Sequence, residues 1–423
     1  MLKKLRELIE AQADYIWNYI SVVILAACGF ALNVIIAYAY GEEVLGTFNQ
    51  AYAWYTVISQ IAVLGIHNAV TKYVAEYIDE KELVGNYYSV SVISVTVISI
   101  VITVLTELVI YALNNKGMIS NPLAISMLLI MLGLPFFSIN KVILGYINGI
   151  SEFKAYAIYQ SLRYILLLVM LGIIIICDWG GEYTALVFPI EEMVLLLVML
   201  IKYSVPLKYD REVNKNVLTF GVKSLPSNMV SQITPKVDIL SLSLMQIDAG
   251  LIGVYSLVTS FSDGFYQLYI VLRKKVNPSL SYNYSKNIGY NEGKDWKSIK
   301  MYVYALLPIG GACVIAVYIF LCKFILGDAY SGGIPSICIL IICAILNGKW
   351  IAYGNMFSQY GYPSIESIIN VVTLLVNVLF NIALIWKIGV IGAAIATGIS
   401  YFAYSILMSV TYRKRFANKR GTK

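Results

Sequence analysis

Lys236 and Asp238 stand inside a segment long enough to cross a bilayer, VLTFGVKSLPSNMVSQITPKVDILSLSLM over Val217–Met245. A charge near the middle of such a span costs roughly 2.5–3.5 kcal/mol on insertion scales, so it faces a bundle interior or a water-filled path. Two readings are open for Lys236. It pairs with a carboxylate of another helix, such as Asp263 or Glu191, or it lines a polar lumen that a solute crosses. Residues two apart do not face each other on a regular helix, so Lys236 and Asp238 each need a separate partner. Pro235 removes a backbone donor just before them and is expected to loosen the helix locally.

The other ionisable residues within apolar stretches are Arg163, Glu191 and Glu192 in the first half of the chain, and Asp263 and Lys349 in the second. With Lys141, the basic members Lys236, Arg163 and Lys349 are candidates for contact with an anionic solute. The acidic members Asp238, Asp263, Glu191 and Glu192 are candidates for coupling or lumen charges. Arg163 and Lys141 have a second reading, in which their long stems reach back to the inner surface of the membrane. Glu191 and Glu192 are adjacent, so on a helix they point about 100° apart, and the pair is not expected to share one ligand easily.

Catalytic arrangements are not apparent. The single histidine, His67, would have to serve any serine–histidine or cysteine–histidine chemistry, and metal sites usually need several such ligands. It reads as an interfacial hydrogen-bonding residue. The six cysteines (Cys28, Cys177, Cys313, Cys322, Cys338, Cys343) show neither a CxxC nor a cysteine–histidine spacing, which points away from a disulfide framework and a zinc site. The phosphate-binding Gly-x-x-x-x-Gly-Lys loop does not occur. No cofactor is called for, and the chain reads as a non-enzyme.

The elements that must hold these residues are membrane helices. Hydrophobic residues make up 59% of the chain and charged residues 13%, and the mean hydropathy is +0.75, which excludes a soluble domain. With about 20 apolar residues per crossing, twelve spans are expected. Those of the first half are Ile16–Tyr40, Phe48–Ile66, Tyr87–Tyr111, Pro122–Leu144, Tyr156–Cys177 and Thr184–Tyr203. Those of the second are Leu218–Met245, Leu251–Leu272, Met301–Leu321, Ile334–Phe357, Ser364–Trp386 and Gly389–Tyr412. Pro135 and Lys349 interrupt the fourth and the tenth.

Basic residues set the orientation. With both termini in the cytoplasm, all but four of the 31 lysines and arginines fall in inner loops and adjacent helix ends; the exceptions are Lys116, Lys323 and Lys387 outside and Lys236 in the membrane. The net charge of +7 follows from this asymmetry and needs no nucleic-acid partner. Met1–Asp14 reads as a short interfacial helix with Leu2, Leu5, Leu8 and Ile9 on one face, not as a removable signal peptide. Outer loops are short, and the largest inner loop is Arg273–Lys300. Many of the 34 tyrosines lie at span ends as an aromatic belt. Tyr164, Tyr266, Tyr269 and Tyr353 lie within spans, where a ring face can pack on a sugar.

The chain divides into residues 1–203, a cytoplasmic linker 204–216, and residues 217–423 with a basic tail. Short motifs correspond at a common offset: Gly46-Thr47-Phe48 with Gly253-Val254-Tyr255, and Gly181–Thr184 with Lys387–Gly392. Six spans per half give both halves the same orientation, and in transporters built this way the site lies between the repeats.

Several stretches carry a resemblance. They are Gly41-Glu42-Glu43-Val44-Leu45-Gly46-Thr47-Phe48, Leu64-Gly65-Ile66 through Val74-Ala75-Glu76-Tyr77, Phe220-Gly221 with Lys236-Val237-Asp238-Ile239, Gly253-Val254-Tyr255-Ser256, Leu326-Gly327-Asp328-Ala329-Tyr330, and Gly389-Val390-Ile391-Gly392-Ala393-Ala394-Ile395-Ala396. In this order, over nearly the whole chain, the sequence resembles the polysaccharide flippases of the multidrug/oligosaccharidyl-lipid/polysaccharide exporter superfamily. The resemblance implies an all-α polytopic protein with two six-helix bundles around a central cavity, in a bacterial inner membrane. It implies outward movement of undecaprenyl-pyrophosphate-linked oligosaccharide for O-antigen (lipopolysaccharide), capsule or related glycans, in contact with membrane lipids and with a glycan polymerase and glycosyltransferases as pathway partners. Lys236 matches the basic position before the family's Val-Asp pattern. A pyrophosphate would be drawn to such a cation in a low-dielectric cavity.

Three alternatives compete. A lipid-linked peptidoglycan precursor flippase is one, but such relatives typically have fourteen spans and this chain has room for twelve. A cation-coupled multidrug exporter of the same superfamily needs an intramembrane acid for a cationic drug, but the first span has none and Lys236 and Arg163 repel cations. A membrane-embedded glycan polymerase or acyltransferase needs an outer catalytic loop or a histidine-centred site, and the sequence offers neither.

Overall fold

The apolar run of residues 20–63 is 44 residues long. As one straight helix it would measure about 66 Å, roughly twice a hydrocarbon core, so it must fold back. It does so at Gly41. In the computed structural model, which describes residues 2–204, 206–286 and 299–417, helix α1 (Leu2–Val63) is interrupted there by φ 83° and ψ −177°, a backbone region open essentially to glycine alone. The first and second passes lie on either side of that break. Residues 2–14 continue into α1 without interruption, so no separate interfacial helix forms; the face expected on Leu2, Leu5, Leu8 and Ile9 lies outside the described side chains.

The remaining passes follow the hydropathy pattern. After a turn at Leu64 and Gly65, both with positive φ, come α2 (Ile66–Glu76) and α3 (Lys81–Asn115). The fourth pass is the pair α4 (Asn121–Met131) and α5 (Leu134–Gly149), bent by 41° where Pro135 deprives the backbone of a donor. Then come α6 (Phe153–Ile176) and α7 (Val187–Tyr203), the latter entered through a 3₁₀ turn at Gly181–Leu186.

The seventh pass is α8 (Arg211–Ile233), a 3₁₀ turn at Thr234–Lys236 and α9 (Val237–Leu244). The expected loosening at Pro235 is thus a change of helix type that leaves Lys236 at the start of α9. Helix α10 (Ala249–Ser285) begins with the Asp248 carboxylate accepting the Leu251 N–H at 3.2 Å, an N-cap. Helix α11 (Leu307–Leu321) leads to α12 (Ile334–Leu346), and the tenth pass then breaks into the short α13 (Gly348–Ala352) and α14 (Met356–Gln359) around Lys349. Helices α15 (Pro363–Ile388) and α16 (Val390–Tyr412) complete twelve passes among the described residues, with no strand.

By length and apolarity alone, eight helices cross a membrane, or nine with the bent pair. One of the eight is the doubled α1, and the seventh and eighth passes are too polar to be recognised that way. The protein is an all-α, multi-pass membrane protein. The tip of the loop expected at Arg273–Lys300, residues 287–298, and the tail 418–423 lie outside the described residues.

Two compact units result. The first comprises Met1–Tyr40 with Thr47–Ile233, and the second Gly41–Gly46 with Thr234–Lys423. Helix α8, read from the sequence as part of the C-terminal half, packs on α2 and α3 in the first unit. The core of that unit joins Ile66, Val70 and Val74 of α2 to Tyr88, Val142, Ile147 and Met199. Inside the second unit, Gly46 and Gly253 face each other so closely that a Cβ on Gly46 would run into the Ala249 carbonyl, and one on Gly253 into that of Glu42. The two glycines that the sequence pairs as equivalent positions are therefore contacts.

Candidate transport site

In the first unit, α5, α6 and α7 bring four polar side chains into one sealed cluster. Arg163 is 7% exposed, Glu192 2%, and Glu191 and Asn140 0%. Arg163 donates from Nη2 to Glu192 Oε2 at 3.1 Å, and its Nε lies 3.6 Å from Glu191 Oε1. Asn140 Nδ2 donates to the same Glu192 Oε2 at 2.7 Å and to the Glu192 carbonyl at 2.8 Å. One turn before Asn140, the Phe137 ring lies 5.4 Å from the Arg163 guanidinium carbon and 5.5 Å from Lys141 Nζ. Positions three and four apart on α5 share a face, so the helix period presents Phe137, Asn140 and Lys141 together.

Two expectations change here. Arg163 does not reach back to the inner surface: two buried carboxylates hold its guanidinium inside the bundle. Glu191 and Glu192 do share a partner despite pointing 100° apart, because a guanidinium is a planar fork whose two edges can be approached from different directions. Lys141 is half-buried and makes no ion pair among the described residues.

The second unit solves the same problem without a cation. Asp238 accepts from Tyr255 Oη at 2.6 Å, Asn381 Nδ2 at 2.8 Å and Thr397 Oγ1 at 2.7 Å. These donors come from α10, α15 and α16. Asn377, one turn before Asn381, donates to Thr397 Oγ1 at 3.0 Å and accepts from Asn381. Hydrogen bonds to a charged group are worth about 1.5–3 kcal/mol each, which accounts for a carboxylate persisting in an apolar bundle. As the spacing requires, Asp238 is partnered independently of Lys236.

Lys236 and Asp263 are different in kind. Lys236 is half-buried and Asp263 is exposed, and their charges act on each other. Lys349, on α13, is half-buried with Nζ 5.1 Å from the Trp350 ring. Arg273, overlooked from the sequence because it looked like a loop residue, is drawn back to the bundle: Nε donates to the Ile351 carbonyl at 2.7 Å and Nη2 to Tyr266 Oη at 2.9 Å.

A model of the polysaccharide biosynthesis protein family matches residues 12–282, well over half of the chain. The chain belongs to that family. A curated relative, an uncharacterized membrane protein of Methanocaldococcus jannaschii, is 21% identical over 96% of this chain and 85% of its own length. Two solved structures share the fold. A multidrug resistance MATE family transporter of the MOP superfamily, in an inward-facing conformation, has a TM-score of 0.75 at 17% identity over 96% of this chain and 99% of its own. The lipid II flippase MurJ in an inward closed conformation has a TM-score of 0.78 at 16% identity, over 94% and 87%.

In this family member the tyrosines within spans divide. Tyr269 is fully buried with its hydroxyl on the Ala344 carbonyl at 2.9 Å, and Tyr353 is 2% exposed, so both are core residues and not part of a sugar path. Tyr164 and Tyr266 remain half-buried, and Tyr266 lies parallel to Tyr401 at 6.3 Å. Beyond the spans, Glu152 binds Lys202 Nζ at 2.7 Å and the Tyr203 hydroxyl at 2.6 Å. These two donors hold its carboxyl below the usual range.

Proposed function

We infer that the protein is a transporter that flips an undecaprenyl-pyrophosphate-linked oligosaccharide from the cytoplasmic to the outer leaflet by alternating access, for a surface polysaccharide. Membership of the polysaccharide biosynthesis family supports the pathway, and the fold shared with transporters supports the activity. The observation that carries the reading is the contrast between sealed and open charges. Arg163, Glu191 and Glu192 are closed off, whereas within spans Asp263 is exposed and Lys236 half-buried. An accessible charge at that depth faces a water-filled path and not lipid.

On this reading Lys236 is the first contact for the anionic head group, with Lys141 and Lys349 as further cations and Tyr266 as a ring surface for sugar. Arg163 acts by holding the carboxylates beside it. Asp238, and the pair Glu191 and Glu192, are the carboxylates available for ion coupling. The halves 1–203 and 217–423, joined by 204–216, act as the two repeats, with both termini cytoplasmic in a bacterial inner membrane. The protein then works beside glycosyltransferases and a polymerase without being an enzyme itself. Removing it should leave lipid-linked oligosaccharide accumulating on the cytoplasmic face while synthesis continues. Unchanged surface glycan in a strain without a redundant flippase would refute the reading and direct attention to drug export.

A further inference from the structure

The two carboxylates of α7 are not equivalent. Glu192 receives two donors, from Arg163 and Asn140. Glu191 is 0% exposed, has no hydrogen-bond donor on either oxygen, and lies 3.6 Å from the Arg163 Nε, which is itself without an acceptor. Asn140 Oδ1, also fully buried, has no donor either. The cluster thus contains three acceptor atoms, Glu191 Oε1, Glu191 Oε2 and Asn140 Oδ1, that no donor reaches. The groups facing it are Tyr52 and Tyr55 from α1, Lys141 from α5, Arg163 and Tyr164 from α6, and Glu192.

One guanidinium neutralises one carboxylate. Glu191 has no hydrogen-bond donor on either oxygen and shares its nearest cation, at 3.6 Å, with Glu192, so it is costly to leave charged. The neutralising species must be small, and it must tolerate N–H groups pointing into the site. Asn140 Nδ2 and the Arg163 N–H groups disfavour a metal cation, whereas a proton converts Glu191 to an acid and adds the missing donor.

We propose that Glu191 is a proton-exchanging site: a proton from bulk water neutralises it to a carboxylic acid and leaves again as the carboxylate re-forms, while Arg163 and Asn140 stay bonded to Glu192. This deepens the transporter reading, on which it rests for its consequence: Glu191, in the first unit, is the residue at which a coupling proton is bound.

The test is infrared difference spectroscopy on the full chain in phospholipid vesicles without substrate, titrating pH in H₂O and D₂O. Acidification should produce a carboxylic acid C=O component, shifted in D₂O, that is missing from Glu191→Gln when its spectrum is subtracted from the wild type and is kept in Glu192→Gln. Glutamate labelled with ¹³C should shift the wild-type band, which secures the assignment to a glutamate even where a variant folds poorly. Identical acid-band difference spectra for the wild type and Glu191→Gln, or no exchangeable glutamate band in the wild type, overturn the proposal. Since no glycolipid is used, a failed flippase reading would leave this result standing, and a missing band would leave the flippase reading standing.

Discussion

Arg163 meets Glu192 through Nη2 at 3.1 Å and Glu191 through Nε at 3.6 Å, so one guanidinium ties two successive residues of α7 to α6. The link has a structural consequence separate from transport. Breaking a buried ion pair by removing one partner costs about 3–5 kcal/mol, because the remaining charge is stranded. Arg163→Ala strands the hydrogen-bonded carboxylate of Glu192. It should lower the thermal unfolding temperature in detergent and the amount of inserted protein. Arg163→Ala combined with Glu192→Gln should recover most of that loss. A double variant no more stable than Arg163→Ala would show that Arg163 packs on Phe137 and does not compensate charge.

Asp238 gives a second stability prediction, with a different dependence on the substitution. Of its three donors, Tyr255 and Thr397 would lose their acceptor in Asp238→Ala while Asn381 keeps Asn377, at about 1–3 kcal/mol for each buried group left unsatisfied. Asp238→Asn retains one carbonyl acceptor, so it should fall between wild type and Asp238→Ala in thermal unfolding. Equal unfolding temperatures for the two variants would mean that the donors find other acceptors. If Asp238 also couples an ion, Asp238→Asn should lose transport out of proportion to its lost stability.

The sequence was most legible where bulk physics decides. A membrane span has to be apolar over its length, so twelve passes, the fourth and tenth interruptions and the break at Pro235 could all be read. The partners of the charges were not legible for the same reason in reverse. Asn140, Asn377, Asn381 and Thr397 are neutral, and neutral polar residues are common in spans. Only the four-residue spacing of Asn377 and Asn381 hinted at a polar face. Helical angle misled for Glu191 and Glu192, since it fixes where a Cβ points and not where a long side chain ends. Gly46 and Gly253 were seen as a repeat signal, but their mutual contact depends on how helices cross, which local sequence does not encode.

The Glu152–Lys202 pair predicts a pH effect outside the membrane. Glu152 is held below the ordinary carboxylate range by its hydrogen bonds to Lys202 and Tyr203. A depressed folded-state value means that the pair stabilises the fold above the unfolded-state value, about 4.3 for glutamate, and that this stabilisation is lost as pH falls through the folded-state value. Both side chains are substantially exposed, so the contribution is about 0.5 kcal/mol and screened by salt. Glu152→Gln should lower the unfolding temperature slightly near neutral pH and leave it unchanged once the wild-type carboxyl is protonated. An undiminished difference in acid would mean that the Tyr203 contact, not the charge, matters.

Lys236 separates recognition from structure. It is half-buried at the start of α9, within electrostatic range of the exposed Asp263. If it contacts the anionic head group, Lys236→Ala should abolish or strongly reduce translocation with the protein still inserted. Lys236→Arg should then keep part of the activity, since the charge is retained but a planar guanidinium fits a different geometry. If it serves only to compensate Asp263, Lys236→Ala should instead lower abundance, and adding Asp263→Asn should restore both abundance and transport. We expect the first pattern, because the open position of Asp263 lets water stabilise its charge after Lys236 is removed and leaves little to rescue. Transport of lipid-linked oligosaccharide by the double neutral variant at the wild-type rate would exclude a head-group role for Lys236 and move that role to Lys141.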